Sequence, residues 1–226
     1  MSPPASAPTL QVCRECGAGA PLDAHFCPQC EKILSLGRQG DYFAFLGLPR
    51  KLRVDPADLE RRFRELSRQF HPDYFYNAAP AERRASLERS SYLNDAYRTL
   101  RNPIARVDYL LSVEGMAPRT AQEAATQVPP ALLEEVFDLN EELDEIREAR
   151  ESGDDPDALR ARLDEARKPI EAKRDQHERD LDTLSAAWDE KHDRATLDAL
   201  RERLLERNYL RNLLATIDKE TELLAV

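Results

Sequence analysis

Along most of the chain after residue 54, apolar residues recur every three or four positions, the period of an α-helix with one buried face. Leu59, Phe63, Leu66 and Phe70 make the first such stripe, and Arg61, Arg64 and Arg68 project almost directly opposite, with Arg62 beside them. Asp55-Pro56 supplies an N-cap and a proline at the first helical position. This helix is predicted to end at His71-Pro72, because a proline steers the residue before it out of helical angles. Residues 73–80 are predicted as loop. A second helix starts near Ala81, and its Leu93, Ala96, Tyr97 and Leu100 can return to pack on the first stripe. Asn102-Pro103 breaks it, and a short helix from Ile104 to Leu111 closes the unit.

Three longer helices follow. Pro129-Pro130 opens one running to about Arg150, residues 152–157 make a turn, and helices from about Asp157 to Glu190 and Ala195 to Leu224 complete the set. Pro169 removes a backbone donor from the middle helix and is a candidate kink. Short connections favour an antiparallel three-helix bundle. On its first helix Leu132, Val136, Leu139, Leu143 and Ile146 form one stripe, enough to face a core. Leu133 and Phe137 lie beyond the edge of that stripe, with Glu134, Asp138, Glu141, Glu145 and Glu148 beside them. An apolar shoulder with a charged rim has the composition of a binding patch; the alternative is that Phe137 widens the core.

Before residue 41 the helical period is absent, and this is where all four cysteines lie: Cys13 and Cys16, ten residues, then Cys27 and Cys30. Two CxxC pairs offer four thiolates that can surround one ion tetrahedrally, and metal binding holds together a fold too small for a core of its own. Structural Zn²⁺ is therefore the expected cofactor. Gly17 and Gly19 suit the backbone angles of such turns. A redox CxxC would call for a βαβ pattern, which follows neither pair. His25 is a surplus donor once four cysteines are present. The expected class is thus mainly α: a disordered lead over 1–10, a zinc module over 11–36, a helical domain over 41–113 and a three-helix domain over 126–226.

Composition narrows the function. Of the 226 residues 34% are charged and 7% aromatic, which fits surface-rich helices over thin cores. The net charge of −10 is uneven: residues 126–226 carry 28 acidic and 16 basic side chains, residues 41–115 carry 11 and 13. An acidic C-terminal half argues against nucleic acid as partner, since phosphate binding needs clustered Lys and Arg. No apolar run is long enough to span a membrane. Residues 1–10 contain neither Lys nor Arg nor an apolar stretch, so no secretory or organelle signal is expected and the cytoplasm is the default compartment. His25, His71, His177 and His192 are scattered, with no nucleophile or phosphate loop nearby, so the chain is not expected to be an enzyme.

The string YFAFLGL at 42–48, HPD at 71–73 and LNDAYRTLRNPIARVDYLL at 93–111 together resemble a J-domain, and specifically that of HscB, the iron–sulfur cluster co-chaperone branch. The resemblance runs from about Asp41 to the end of the chain, because HscB proteins carry a C-terminal helical bundle; some also have a tetracysteine N-terminus. It implies a DnaK/HscA-type chaperone ATPase as partner, met by His71, Pro72, Asp73 and the arginines 61, 62, 64 and 68, with hydrolysis performed by the partner. It implies an IscU-like scaffold as cargo. Through the string LNEELDEI at 139–146 the implied scaffold contacts are Leu133, Glu134, Phe137, Asp138, Glu141 and Glu145, with Tyr209 as an aromatic from the last helix. Glu134 stands where the family often has Met, and Asp138 where it often has Glu. A general J-protein with other clients is the alternative reading, and the zinc module is expected to be separable from the chaperone-stimulating part.

Overall fold

The computed structural model describes residues 10–36, 41–116 and 129–224. Residues 1–9 of the disordered lead expected over 1–10, and the first residues of the expected bundle, 126–128, lie outside them; Leu10 is not part of a lead but begins the first strand, paired opposite Pro21. Contacts divide the chain into two compact units, Met1–Arg106 and Val107–Val226.

The first unit opens with β1 (Leu10–Val12) and β2 (Gly19–Pro21), paired antiparallel with Gln11 opposite Ala20. An isolated bridge between Phe26 and Ile33 adds a second tight ribbon. The apolar interior here is small: Cys13, Ala20, Cys27 and Leu34. Helix α1 (Tyr42–Phe45) is capped by the Asp41 carboxylate, which accepts from the Ala44 amide at 2.8 Å. Helix α2 (Pro56–Phe70) begins as the sequence predicts, with Asp55 as N-cap and Pro56 in the first turn. Helix α3 (Pro80–Arg101) packs antiparallel to it, and Phe43 of α1, Leu59 and Phe70 of α2, and Leu93, Ala96 and Leu100 of α3 are all buried. Phe63 stacks on Tyr97 at 4.2 Å between ring centroids, and the Tyr97 hydroxyl donates to Glu60. The segment after Pro72 is more ordered than a loop: Pro72–Phe75 form a 3₁₀ turn. Helix α4 (Pro103–Val113) spans the boundary between the two units and is started by Asn102, whose side-chain oxygen accepts from the amides of Ile104 and Ala105.

The second unit holds α5 (Leu133–Ser152), α6 (Pro156–Lys191) and α7 (Arg194–Leu223), with a 3₁₀ turn at Pro130–Leu132 before them. The stripe expected on α5 is the one that is buried. Leu139, Leu143 and Ile146 pack with Leu159, Leu163 and Ile170 of α6 and Leu210, Leu214 and Ile217 of α7. Gly153, at φ 83°, ends α5, and Asp155 caps α6. Helix α6 runs unbroken through Pro169, whose ring lies on the exposed side. One polar cluster is buried between α6 and α7. The Arg203 guanidinium donates to His177 Nδ1 and to Glu206, each at 2.7 Å. Burial, then the Arg203 charge, lowers the pKa of His177, so the imidazole is held neutral as an acceptor.

Candidate functional site

His71, Pro72 and Asp73 sit at the tip of the α2–α3 hairpin. Phe70 is the last residue of α2 and is fully buried, so the chain leaves the core abruptly and the next three side chains face outward. The Phe70 carbonyl, which has no partner further along α2, accepts from Ser86 Oγ at 2.7 Å and Ser90 Oγ at 2.9 Å on α3. His71 Nδ1 accepts from the Asp73 amide at 3.3 Å. The proton of the neutral ring then sits on Nε2, which is left as a donor. The Asp73 carboxylate is largely solvent-exposed and 3.5 Å from His71 Nδ1. A fixed turn thus presents one donor, one proline ring and one carboxylate.

The arginine face beside this tip is less available than its pattern implies. Arg61 pairs with Asp58 and with Glu65 at 3.1 Å, and Arg64 with Glu60 at 2.7 Å. Arg62 pairs with Asp58 and donates to the carbonyls of Leu46 and Gly47 at 3.1 and 2.7 Å, tying α2 to the end of α1. Gly47 is required there: its φ is +64°, and a Cβ would meet the Arg62 guanidinium at 2.8 Å. Of these four arginines of α2, only Arg68, one turn from His71, has no ion-pair partner among the described residues. Arg83 and Arg84 on α3 share that condition and were not singled out by the sequence reading; Arg83 donates to the Tyr76 carbonyl at 3.5 Å, just beyond the tip. Tyr74 and Tyr76 are exposed alongside.

The four cysteines converge as their spacing predicts. Their sulfurs all lie within 4.8 Å of one another, with Cys13 to Cys30 at 3.7 Å and Cys16 to Cys27 at 3.6 Å. A tetrahedral ion bound to sulfur at about 2.3 Å needs sulfurs about 3.8 Å apart, so the cluster fits one. Each pair sits on the same turn. Gly17 N–H donates to Cys13 O and Glu31 N–H to Cys27 O, both at 2.9 Å, and Gly17 and Glu31 both have positive φ. The amides of Cys30 and Gln29 pull the Cys27 thiol down to about 6. Cys30 goes up to about 12 despite the Lys32 amide, since burial and three neighbouring sulfurs oppose further ionisation. Four sulfurs so close can all ionise only around a cation, which is the chemistry of a metal site.

His25 is not in the sulfur cluster. It lies at a seam between the cysteine module and the helix hairpin, and its partner there is Arg89 of α3, which the sequence reading passed over. Arg89 is 2% exposed. Its guanidinium donates to Leu34 O at 2.7 Å, Ser35 O at 3.2 Å, Ala24 O at 3.4 Å and His25 Nδ1 at 2.7 Å. His25 Nε2 donates in turn to Phe45 O at 3.1 Å. Burial, then the Arg89 charge, brings the His25 pKa to about 4, consistent with a neutral ring in this tautomer. The ring also meets Phe45 and Phe70 edge-on at 4.8 and 5.0 Å. The module and the hairpin therefore share buried polar and ring contacts at this seam. One signal was available: Ala85, Arg89, Leu93, Ala96 and Leu100 share one stripe of α3, so an arginine stands in a core-facing row.

On α5 the structure separates the two readings of Phe137. It is 69% exposed and Leu133 56%, so neither belongs to the bundle core. Glu134, Asp138, Glu141 and Glu145 are exposed on the same side of the helix. Glu145 is bound by Arg162 of α6 at 2.6 Å; Glu134, Asp138 and Glu141 have no ion-pair partner among the described residues. Tyr209 is half-buried against the bundle core and does not stand exposed as Leu133 and Phe137 do.

An antiparallel helix hairpin whose tip exposes His-Pro-Asp is the arrangement of a J-domain. No protein-family model matches the chain. Among solved structures the chain is similar to the human co-chaperone protein HscB, at 28% identity and a TM-score of 0.67, covering 93% of this chain and 98% of that one. It is also similar to the chaperone HscB from Vibrio cholerae, at 25% identity and a TM-score of 0.56, with coverage of 82% and 99%. The chain is thus similar in architecture to HscB-type co-chaperones and carries a tetracysteine cluster near its N-terminus.

Proposed function

We propose that the chain binds an IscU-like iron–sulfur scaffold on the outer face of α5 and presents it to a DnaK/HscA-type chaperone, whose ATPase it stimulates through the His71-Pro72-Asp73 tip. The observation that carries this reading is the pairing of an outward-facing His-Pro-Asp turn with an apolar pair, Leu133 and Phe137, that the bundle leaves exposed among carboxylates. At the tip, Pro72 and the His71–Asp73 bond fix the turn before binding, which reduces the ordering cost. Asp73 is an acceptor for an arginine of the chaperone, and the His71 Nε2–H is a donor. Arg68, with Arg83 and Arg84, draws an acidic chaperone surface toward the tip. Hydrolysis belongs to the chaperone; this chain contributes contact and timing. On α5, Phe137 and Leu133 supply the apolar anchors and Glu134, Asp138 and Glu141 the rim. Zn²⁺ held by Cys13, Cys16, Cys27 and Cys30 is structural: four thiolates leave no open coordination position for a reaction.

The test is the steady-state ATPase of a DnaK/HscA-type chaperone, measured with this chain and with or without an IscU-like scaffold. Stimulation by the chain, raised further by scaffold, is the expected result. A folded chain that stimulates no chaperone of this class overturns the proposal. Stimulation without scaffold binding leaves a J-protein that serves other clients.

A further inference from the structure

The residue that precedes His71 is held from two sides. On one side Ser86 and Ser90 bind the Phe70 carbonyl. On the other, the Phe70 ring is enclosed by Phe45, by His25 and Phe26 of the cysteine module, and by the Arg89 guanidinium 5.7 Å from its centroid. Arg89 lies in the same turn of α3 as Ser86 and Ser90, so carbonyl and ring are gripped by one turn of one helix. Every hydrogen bond seen for Arg89 goes to residues 24–35, which the two CxxC turns set in place. A backbone carbonyl set can bind a buried guanidinium only if the chain presenting it is fixed, and in this small module the sulfur cluster is what fixes it. Without those carbonyls the guanidinium would be buried unpaired, so it must swing toward water and leave the Phe70 ring.

We propose that Arg89 is a positioning residue for the His-Pro-Asp tip, transmitting the order of the metal-bound cysteine module through Phe70 to His71–Asp73. Metal occupancy of the module then sets how tightly the chaperone-contacting turn is held, and loss of metal loosens a site that contains no metal ligand. The role of the tip rests on the proposed co-chaperone function; the link from module to tip does not.

The experiment is amide exchange on the full-length metal-loaded chain, read at Asp73, Tyr74 and Tyr76, whose N–H groups donate to His71 Nδ1, His71 O and Asp73 O. In Arg89→Ala these amides should exchange about tenfold faster while those of α7 in the bundle do not change. Arg89→Lys, which keeps the charge but loses the planar fork, should fall between. Metal loss to a chromophoric chelator should be faster in Arg89→Ala. Removing metal from the wild type with chelator should reproduce the tip exchange of Arg89→Ala. Unchanged tip exchange in a folded, metal-loaded Arg89→Ala overturns the proposal. If that variant does not fold, the chelated wild type and His25→Ala carry the test, and an unchanged tip in either overturns it. Chaperone ATPase is measured in parallel: absence of stimulation by the wild type removes the function of the tip, whereas the exchange result stands or falls independently.

Discussion

Changing Leu133 and Phe137 together to alanine separates binding from folding at the α5 face. A buried Leu or Phe side chain contributes about 1.5–3 kcal/mol relative to leaving it in water. Both residues already have part of their surface covered, so only the exposed fractions, 56% and 69%, remain for a partner to bury. Scaling the transfer values by those fractions, and allowing for the Cβ that alanine keeps, gives about 3 kcal/mol for the pair. That is about two orders of magnitude in Kd. Because neither side chain is in the core, the melting temperature and helicity of the double variant should match the wild type, as surface changes usually do. Leu143→Ala is the contrast: Leu143 is 1% exposed and packed in the bundle, so its truncation should cost about 2–5 kcal/mol of stability. The assay is calorimetric titration of an IscU-like scaffold into each protein, with circular dichroism melts on the same samples. Wild-type affinity in a well-folded double variant refutes the assignment of this face.

Three further outcomes are expected. His71→Gln should abolish ATPase stimulation without changing helicity, because the side chain is exposed; retained stimulation would refute the role of the tip. Arg68→Ala should raise the half-stimulating concentration by about fivefold and flatten its salt dependence, while Arg61→Ala, already paired with Asp58 and Glu65, should change it less than about twofold; equal effects would mean that the internal pairs do not matter. The folded pKa of His177 lies below its ordinary 6.5 through burial and then the Arg203 charge, so the unfolded chain takes the proton first and stability is lost as pH falls below about 6.5. His177 is faced by Lys173 and Asp180 of α6, Arg203 and Glu206 of α7 and Glu135 of α5, so the measurement is a difference: melts at two pH values straddling 6.5 should show a smaller drop in His177→Gln than in wild type.

Much of this was legible because periodicity and capping are local. Asp55-Pro56 and the stop at Phe70 fell where the sequence placed them, and so did the α5 stripe through Leu139, Leu143 and Ile146. The sulfur cluster was legible from spacing alone, since two CxxC turns leave few other ways to dispose of four thiols. What was not legible depends on which groups meet across the fold. The arginine row on α2 reads as one cationic surface, but Asp58, Glu60 and Glu65 lie three or four residues away on the same helix and neutralise most of it. That Arg68, Arg83 and Arg84 have no ion-pair partner among the described residues is visible only after those pairs are drawn. Phe137 lay at the edge of its stripe, where period cannot decide between core and surface, and only the packing of α6 and α7 on the other side of α5 exposes it.

The cysteine module shows how closely its fold depends on the hairpin beside it. Its own apolar interior is Cys13, Ala20, Cys27 and Leu34, far too little to offset the ordering of some twenty-five residues at about 1–2 kcal/mol each. A metal offsets part of that cost by fixing the two CxxC turns, and with them the course of Ala24, His25, Leu34 and Ser35, whose polar groups still need a buried partner. Those are the residues that contact Arg89. The hairpin therefore completes the module, and the module in return covers one side of Phe70 at the base of the His-Pro-Asp tip. Removing the module would uncover Phe70 and strip Arg89 of its hydrogen bonds, so the two halves of the first unit have to be understood as one folding problem with the functional tip at its edge.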